Sequence, residues 1–442
     1  MQYEYRPFGE LLSCPSKNGL TRPKKVRGSG LPMVNMGELF ANPRIFDIDM
    51  DLVPVSEKEK DFLLKSGDLL FARQSLVRDG AGQCSIFLGN KQPTVFESHL
   101  IRCRLNPDEA VPEFYFYYFR SPEGRVVMDA IVEQGAGAAG IRGSDLIRLS
   151  VPVPSLTHQR EVAILLRLLD DRIDLLRQTN ATLEAIAQAL FKSWFIDFDP
   201  VRAKAEGRVP EGMDADTAAL FPDSFEDSAV GEIPAGWTYC QAQELFNIGI
   251  GKTPPRKESQ WFSVDSRDVR WLSIKDMGDE GIFASKTSEY LTADAISRFN
   301  VRVAPTHTVL MSFKLTVGRL TITDGSMATN EAIAHFTANE SSPPFTFTYC
   351  YLKNFDYKSL GSTSSIAEAT NSKVIKALPV LTPTATLVEV FHKRVAEMFE
   401  RILENKRQAM ALTELRDTLL PRLVTGKLRL PEAEAQMNEA LA

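Results

Sequence analysis

The chain has 442 residues, of which 44% are hydrophobic and 24% charged, and a formal net charge of −6. This is the balance of an ordinary globular protein long enough for two or three domains. No apolar run approaches the roughly 18 to 20 residues that cross a bilayer, and the polar opening MQYEYRPFGE reads as neither a signal nor a transit peptide, so a cytoplasmic location is expected.

Net charge alone argues against nucleic acid, because neutralisation of phosphates by Lys and Arg drives most of that affinity. The distribution says more. Residues 17–27, KNGLTRPKKVR, carry five cations and no acid, and 252–257 form a second basic cluster. Acids gather instead at 214–232 and in the ending PEAEAQMNEALA. Small basic sites on an acidic body are one pattern of nucleic-acid binding. The five cysteines, Cys14, Cys84, Cys103, Cys240 and Cys350, are scattered with no Cys-x-x-Cys pair, so reduced thiols are expected rather than disulfides or a zinc ribbon.

Along the chain, the aromatic run FYFYYFR (114–120) fits a buried amphipathic element better than a base-stacking surface. GAGAAG (135–140) reads as a turn between a domain and its helix. SDLIRLSVPVP (144–154) precedes a long helical segment, and SKVIKALPVLTP (372–383) precedes another. One constant offset lays Pro154 on Pro383, Ile173 on Ile402, Leu183 on Leu412 and Leu190 on Leu419. Earlier segments echo more loosely: GELLSCPSKNGLTRP with QELFNIGIGKTPPRK, LPMVNMGEL with LSIKDMGDE, GDLLFAR with HTVLMSF. The chain is thus two copies of one plan, each a strand-rich domain followed by a long helix.

In the first helix Val162, Leu166, Leu169, Ile173, Leu176, Asn180, Leu183, Ala187, Leu190 and Trp194 alternate at steps of four and three, the spacing of a heptad seam. The second seam is Phe391, Val395, Met398, Ile402, Asn405, Ala409, Leu412, Arg416, Leu419 and Leu423. Antiparallel packing that sets Asn180 against Asn405 also sets Ile173 against Leu412, Leu183 against Ile402 and Trp194 against Phe391. A slip of one heptad would bury each amide against apolar side chains, at about 1–3 kcal/mol per unsatisfied group. The expected fold is therefore α+β, with two similar strand-rich domains and two long antiparallel coiled-coil-like helices in a pseudo-twofold internal repeat. Residues 200–232, polar and with Gly and Pro, read as a surface connection.

Catalytic motifs are not found. GIGKTPP (249–255) contains Gly-Lys-Thr, but a Walker loop needs Gly where Phe246 stands, and Pro254-Pro255 suits a stiff extended segment rather than the helix such a loop enters. His99, His158, His307, His335 and His392 form no H-E-x-x-H, and no Gly-x-Ser-x-Gly or Gly-x-Gly-x-x-Gly fingerprint occurs. A thiol nucleophile assembled from His99 with Cys84 or Cys103 is a weak reading of chance neighbours.

GKTPPRKESQWF with VRWLSIKDMG, the stretch SVPVPSLTHQREVAILLRLLDDRIDLLRQTNATLEAIAQALFKSWFIDFDPVRAKAEG, FPDSFEDSAVGEIPAGW and LRDTLLPRLVTGKLRL together resemble the specificity (S) subunit of a type I restriction–modification system over nearly the whole chain. In the first copy LTRPKKVRGSG stands where Gly-x-Thr-Pro is the family pattern. The resemblance implies a target-recognition domain at 1–155, a central helix at 156–199, a linker at 200–232, a second target-recognition domain at 233–383, a C-terminal helix at 384–425 and an acidic tail at 426–442. It implies that each domain reads one half of a bipartite DNA target, that the helices set the spacer, and that the chain docks methyltransferase (M) subunits, two being expected, and through them restriction (R) subunits. It implies no catalysis, metal or cofactor of its own, S-adenosylmethionine belonging to M and ATP with Mg to R. A DNA-independent helical scaffold joining two partner chains is the alternative.

Side-chain chemistry then selects candidates for double-stranded DNA: Arg22, Lys24, Lys25, Arg27, Arg73, Gln74 and Arg78 in the first domain, and Lys252, Thr253, Arg256, Lys257, Lys314, Thr316 and Arg319 in the second. Arg73–Arg78 and Lys314–Arg319 follow similar strand-like segments. For the helix–helix interface the residues are Leu166, Ile173, Asn180, Leu183, Leu190, Trp194, Phe391, Val395, Ile402, Asn405, Leu412 and Leu419.

Overall fold

A computed structural model describes residues 3–135, 137–228, 231–279, 281–314, 316–360 and 370–441. The chain divides into two compact units, Met1–Leu176 with Gln408–Ala442, and Arg177–Arg407.

In the first unit five strands lie in the spatial order Lys17–Asn18, Leu100–Cys103, Asp68–Ala72, Cys84–Gly89, Arg44–Phe46. The central strand, DLLFA, is apolar almost throughout because both its faces are covered. Leu69 and Phe71 join the core of the aromatic helix Pro112–Arg120, while Leu70 and Ala72 join another with Val34, Phe96 and Leu100. In that helix Phe114 to Phe119 are all buried, so none of these rings is a base-stacking surface. The second unit repeats the order with Phe246–Ile250, Ile333–Ala338, Val309–Ser312, Leu320–Thr323 and Phe283–Ala284. In both sheets the last pairing is parallel and the others antiparallel. Each unit also pairs its opening strand with the strand leading into the long helix, Glu4–Pro7 with Ser150–Val153 and Thr238–Gln241 with Pro379–Thr382.

The long helices are Leu156–Phe195 and Ala385–Val424. Each unit contains a piece of both. In the first unit Leu166, Leu169 and Ile173 share a core with Leu412, Leu419 and Leu423, and the Arg416 guanidinium reaches Asp170 at 2.8 Å. In the second, Trp194 packs on Phe391 with ring centroids 6.0 Å apart, Val395 and Ile402 are buried, and Leu183 and Leu190 pack against the same core. Asn405 Nδ2 donates to Asn180 Oδ1 at 2.9 Å, and Asn180 Nδ2 donates to the Ile402 carbonyl at 3.0 Å. Partner numbers fall on one helix as they rise on the other, so the strands of the seam run antiparallel, in the register that pairs the two amides. Full burial of a Leu or Val side chain contributes about 1.5–3 kcal/mol against about 0–1 for an exposed ion pair, so the seam is held by its apolar positions and aligned by its amides.

Three segments differ from the sequence reading. The ending read as an acidic tail forms a helix, Leu430–Leu441, and buries Leu428 and Ala433 in the first unit's core, because its few apolar residues recur at helical spacing. The linker contributes Val201 and Phe221 to the second core, Phe221 lying edge-on to Trp194 at 5.2 Å. In the glycine-rich stretch, Ala139–Gly140 pairs with Glu133–Gln134 on one side and Gln74–Ser75 on the other, making a small sheet rather than a turn into the helix; residue 136 lies outside the described residues.

Replacing Asn180 with Ala leaves the buried Asn405 amide without its acceptor and is expected to cost about 1–3 kcal/mol in a urea titration. Replacing both Asn residues with Leu is expected to recover most of that loss, since no buried polar group is then stranded.

Candidate nucleic-acid interface

The GKT segment follows the edge strand Phe246–Ile250 and is not a phosphate cradle. A Cβ on Gly251 would stand 2.1 Å from Thr329 Oγ1 and 2.2 Å from the Asn330 carbonyl oxygen, so glycine is required for close chain packing. Lys252 donates its backbone N–H to the Thr329 carbonyl at 2.8 Å, and its Nζ donates to the Phe299 carbonyl at 2.6 Å, at the end of helix Ala293–Phe299. A cation there meets carbonyls left without helical partners.

The first unit has the same backbone arrangement. A Cβ on Gly19 would stand 2.1 Å from the Phe96 carbonyl oxygen, and Leu20 donates its N–H to that carbonyl at 2.8 Å. The onward bonds match as well, Glu97 N–H to Val34 O at 2.9 Å and Asn330 N–H to Leu272 O at 3.1 Å. Gly19 therefore corresponds to Gly251 and Leu20 to Lys252, which aligns Lys24 with Arg256 and Lys25 with Lys257.

These loops hold their cations differently. Arg22 uses its whole guanidinium on Glu59 (2.6 Å) and the Pro54 and Thr21 carbonyls; the Ser56 N–H, and after it Arg22, draw the Glu59 carboxyl down to about 2. Arg27 pairs with Asp51 at 2.7 Å. Arg256 Nη1 lies 2.8 Å from both Glu289 oxygens, with its guanidinium over the Phe262 and Trp271 rings at 4.3 and 4.5 Å. Thr253 donates its hydroxyl to Glu331. Lys24, Lys25 and Lys257 are exposed and have no ion-pair partner among the described residues.

A second loop follows the central strand of each sheet. Arg73 N–H donates to the His99 carbonyl at 2.8 Å and the Arg73 carbonyl accepts from Ile141; Phe313 makes the same pair of bonds with Ala332 and Thr370. Gln74 thus corresponds to Lys314, and both are exposed. Arg73 Nη1 donates to the Ser98 carbonyl, whereas Arg78 is occupied with the Asp129 and Val132 carbonyls at 3.0 and 3.4 Å. Arg319 donates to the Ile274 carbonyl, and Thr316 O accepts from the Ser312 hydroxyl.

Beside the edge strand of each unit lies a basic cleft. That of the second unit, 430 Å³, is lined by Lys252, Arg302, Lys376, Asn300 and Ser372 with no carboxylate. That of the first, 640 Å³, has Lys17, Lys60, Lys65, Arg102 and Arg104 against the single acid Asp61. Arg104 is committed to the buried Asp68 through two 2.6 Å bonds, while Arg102, 5% exposed, has Nε unpaired. Arg302, Lys376 and Arg102 are distant in sequence from the basic clusters, and no local pattern marks them.

Other chemistry finds no support. Burial pushes the Cys84 and Cys103 thiols far up, so neither supplies a thiolate to His99. His335 is buried and drawn down to about 4, hence neutral at pH 7. No group of three or more His, Cys, Asp or Glu suited to a metal occurs among the described residues.

Residues 3–185 match the family model described as type I restriction modification DNA specificity domain. Similar chains include the type I restriction enzyme HindI specificity subunit of Haemophilus influenzae, 29% identical over 89% of this chain and 94% of the relative. The MjaIX specificity subunit of Methanocaldococcus jannaschii is 27% identical over 74% and 71%. The crystal structure of the S subunit of the type I system from M. genitalium shares the fold, with a TM-score of 0.56 over 96% of each chain at 16% identity. The duplicated, strand-rich units with basic loops accompany a similarity to DNA-specificity subunits, which supports a DNA-recognition role. Residues 3–185 thus carry a type I DNA specificity domain, and the chain as a whole is similar to the specificity subunits of type I restriction–modification systems.

Gly19→Ala and Gly251→Ala are each expected to lower the thermal midpoint of the protein, by about 1–3 kcal/mol in stability, because the added methyl meets backbone. A Gly37→Ala control, with no atom near its Cβ and no positive φ, should be neutral or slightly stabilising, by about 0.4–1 kcal/mol.

Proposed function

We propose that this chain is the non-catalytic targeting subunit of a type I complex, with recognition domains at 1–155 and 233–383 each reading one half of a split DNA target. The observation that carries this reading is the pair of cation-bearing loops built on the same backbone bonds, Leu20 to Phe96 and Lys252 to Thr329. Lysines without partners suit phosphates, whose contacts set register, while Gln74, Arg27 and Arg256 have planar groups suited to base edges. Lys314 and Arg319, with Thr316, would serve the second half-site. In this reading the helices set the spacer and dock two M subunits, which supply S-adenosylmethionine chemistry; R subunits supply ATP-driven cleavage; and the complex works in the cytoplasm. No helix of the described residues is long and apolar enough to cross a membrane.

Methylation mapping in cells carrying this chain with its M partner is expected to reveal a split adenine-modified motif; a continuous motif overturns the reading. Lys24→Glu with Lys25→Glu should weaken DNA binding by the assembled complex and flatten its salt dependence by about two units of slope, with assembly intact. Assembly and methylation both untouched by charge reversal at Lys24, Lys25, Arg256 and Lys257 would favour a bare scaffold. Inserting four residues into Leu156–Phe195 lengthens that helix by about 6 Å, and the unspecified spacer is expected to grow by one or two base pairs.

A further inference from the structure

The loop after the first unit's central strand holds two apolar side chains in water. Leu76 is 87% exposed and Val77 63%. Apolar side chains on a loose loop can fold back onto the surface, but this loop is strapped from several sides. Arg78 donates to the Asp129 and Val132 carbonyls, Arg125 donates to the Asp79 and Ala81 carbonyls at 3.2 and 3.3 Å, and Gln83 Nε2 donates to the Asp79 carbonyl at 2.9 Å. Val77 N–H donates to Ser75 Oγ at 3.2 Å, and a Cβ on Gly80 would stand 2.1 Å from the same oxygen, so the turn is tightly closed behind the tip. The cations of this loop thus fasten the backbone, and the side chains left outward are the Asp79 carboxylate, Leu76, Val77 and, two residues before Leu76, Gln74. The Gln74 amide is exposed and makes no side-chain hydrogen bond among the described residues.

The surroundings are unlike those of a protein-docking patch. Gln74, Arg78 and Asp79 are exposed on either side, so the apolar area is a point rather than a continuous surface of several hundred Å². An amide and an aliphatic side chain at a rigid tip match one base pair in the major groove. Glutamine meets adenine N6 and N7 in a bidentate pair, and an aliphatic group packs on the thymine C5-methyl. We propose that Leu76, supported by Val77, is a specificity-determining contact to the thymine methyl of an A·T pair in the half-site read by the first unit, with Gln74 on the adenine. This rests on the DNA-reading function proposed above.

The test uses the chain assembled with its M partner and duplexes carrying the mapped target, in which each thymine is replaced in turn by deoxyuridine, removing only the C5-methyl. For the wild-type complex one replacement is expected to weaken binding about tenfold, in one half-site only. In the Leu76→Ala complex that replacement should have no further effect, and binding to the thymine duplex should fall to the wild-type value for the uridine duplex. The thermal midpoint should not move, since the side chain packs on nothing. Equal responses of wild type and Leu76→Ala to every uridine overturn the inference while leaving the DNA-reading function standing, as does a Leu76→Ala complex that fails to assemble. A wild-type complex that binds no split site overturns both.

Discussion

The antiparallel pairing of two forty-residue helices is the constraint on which both units depend. Neither core closes on its own strands. The first needs Leu166 and Ile173 from one helix and Leu412 and Leu419 from the other, and the second needs Trp194 with Phe391 and Ile402. A heptad seam alone tolerates slippage, because one apolar layer resembles the next. The Asn180–Asn405 pair removes that freedom: shifted by a turn, each amide would lie buried against hydrocarbon. A hydrogen bond of modest net value thus selects one register among several of similar apolar burial.

Duplication has preserved backbone and released side chains. Leu20 and Lys252 occupy one position and make one backbone bond, yet the first is buried and the second exposed with its ammonium on a helix end. Arg73 and Phe313 share another position. The loops that follow occupy 73–81 in one unit and 313–317 in the other, between matched bonds of Gly82 to Ala72 and Gly318 to Ser312. A frame kept by glycine packing and main-chain bonds lets two recognition surfaces differ in chemistry without refolding either domain.

The helices, their register and the repeat were legible because they are periodic: steps of four and three and a constant offset survive without knowledge of the third dimension. The need for Gly251 was legible only as an anomaly, a phosphate-loop fragment followed by two prolines. The basic clefts were not legible, since Lys252 meets Arg302 and Lys376, and Lys17 meets Arg102, only through strand pairing. Arg78 shows the converse limit. As a sequence feature it is one more cation near a strand end, and only its bonds to the Asp129 and Val132 carbonyls reveal that it fastens a loop. The terminal helix was missed because its acidic composition dominates a stretch in which Leu428 and Ala433 decide the packing.

An acidic protein that reads DNA must attract it without holding every sequence equally. Ion pairs in the recognition loops address both requirements. Arg27 donates Nη1 to Asp51 and Nε to the Arg22 carbonyl, and Arg256 donates Nη1 to both Glu289 oxygens, which restrains the plane of each group and offsets its charge. Such an arginine gains little from a distant phosphate, because its field is largely cancelled. It gains most where an acceptor meets the free edge in the right plane, and fixed planarity lowers the entropy cost of that contact. On the reading proposed above, the unpaired Lys24, Lys25 and Lys257 would supply a screened, sequence-blind attraction over about a Debye length. On that reading, approach and discrimination would fall to different side chains of the loops, which makes a net charge of −6 compatible with binding a polyanion.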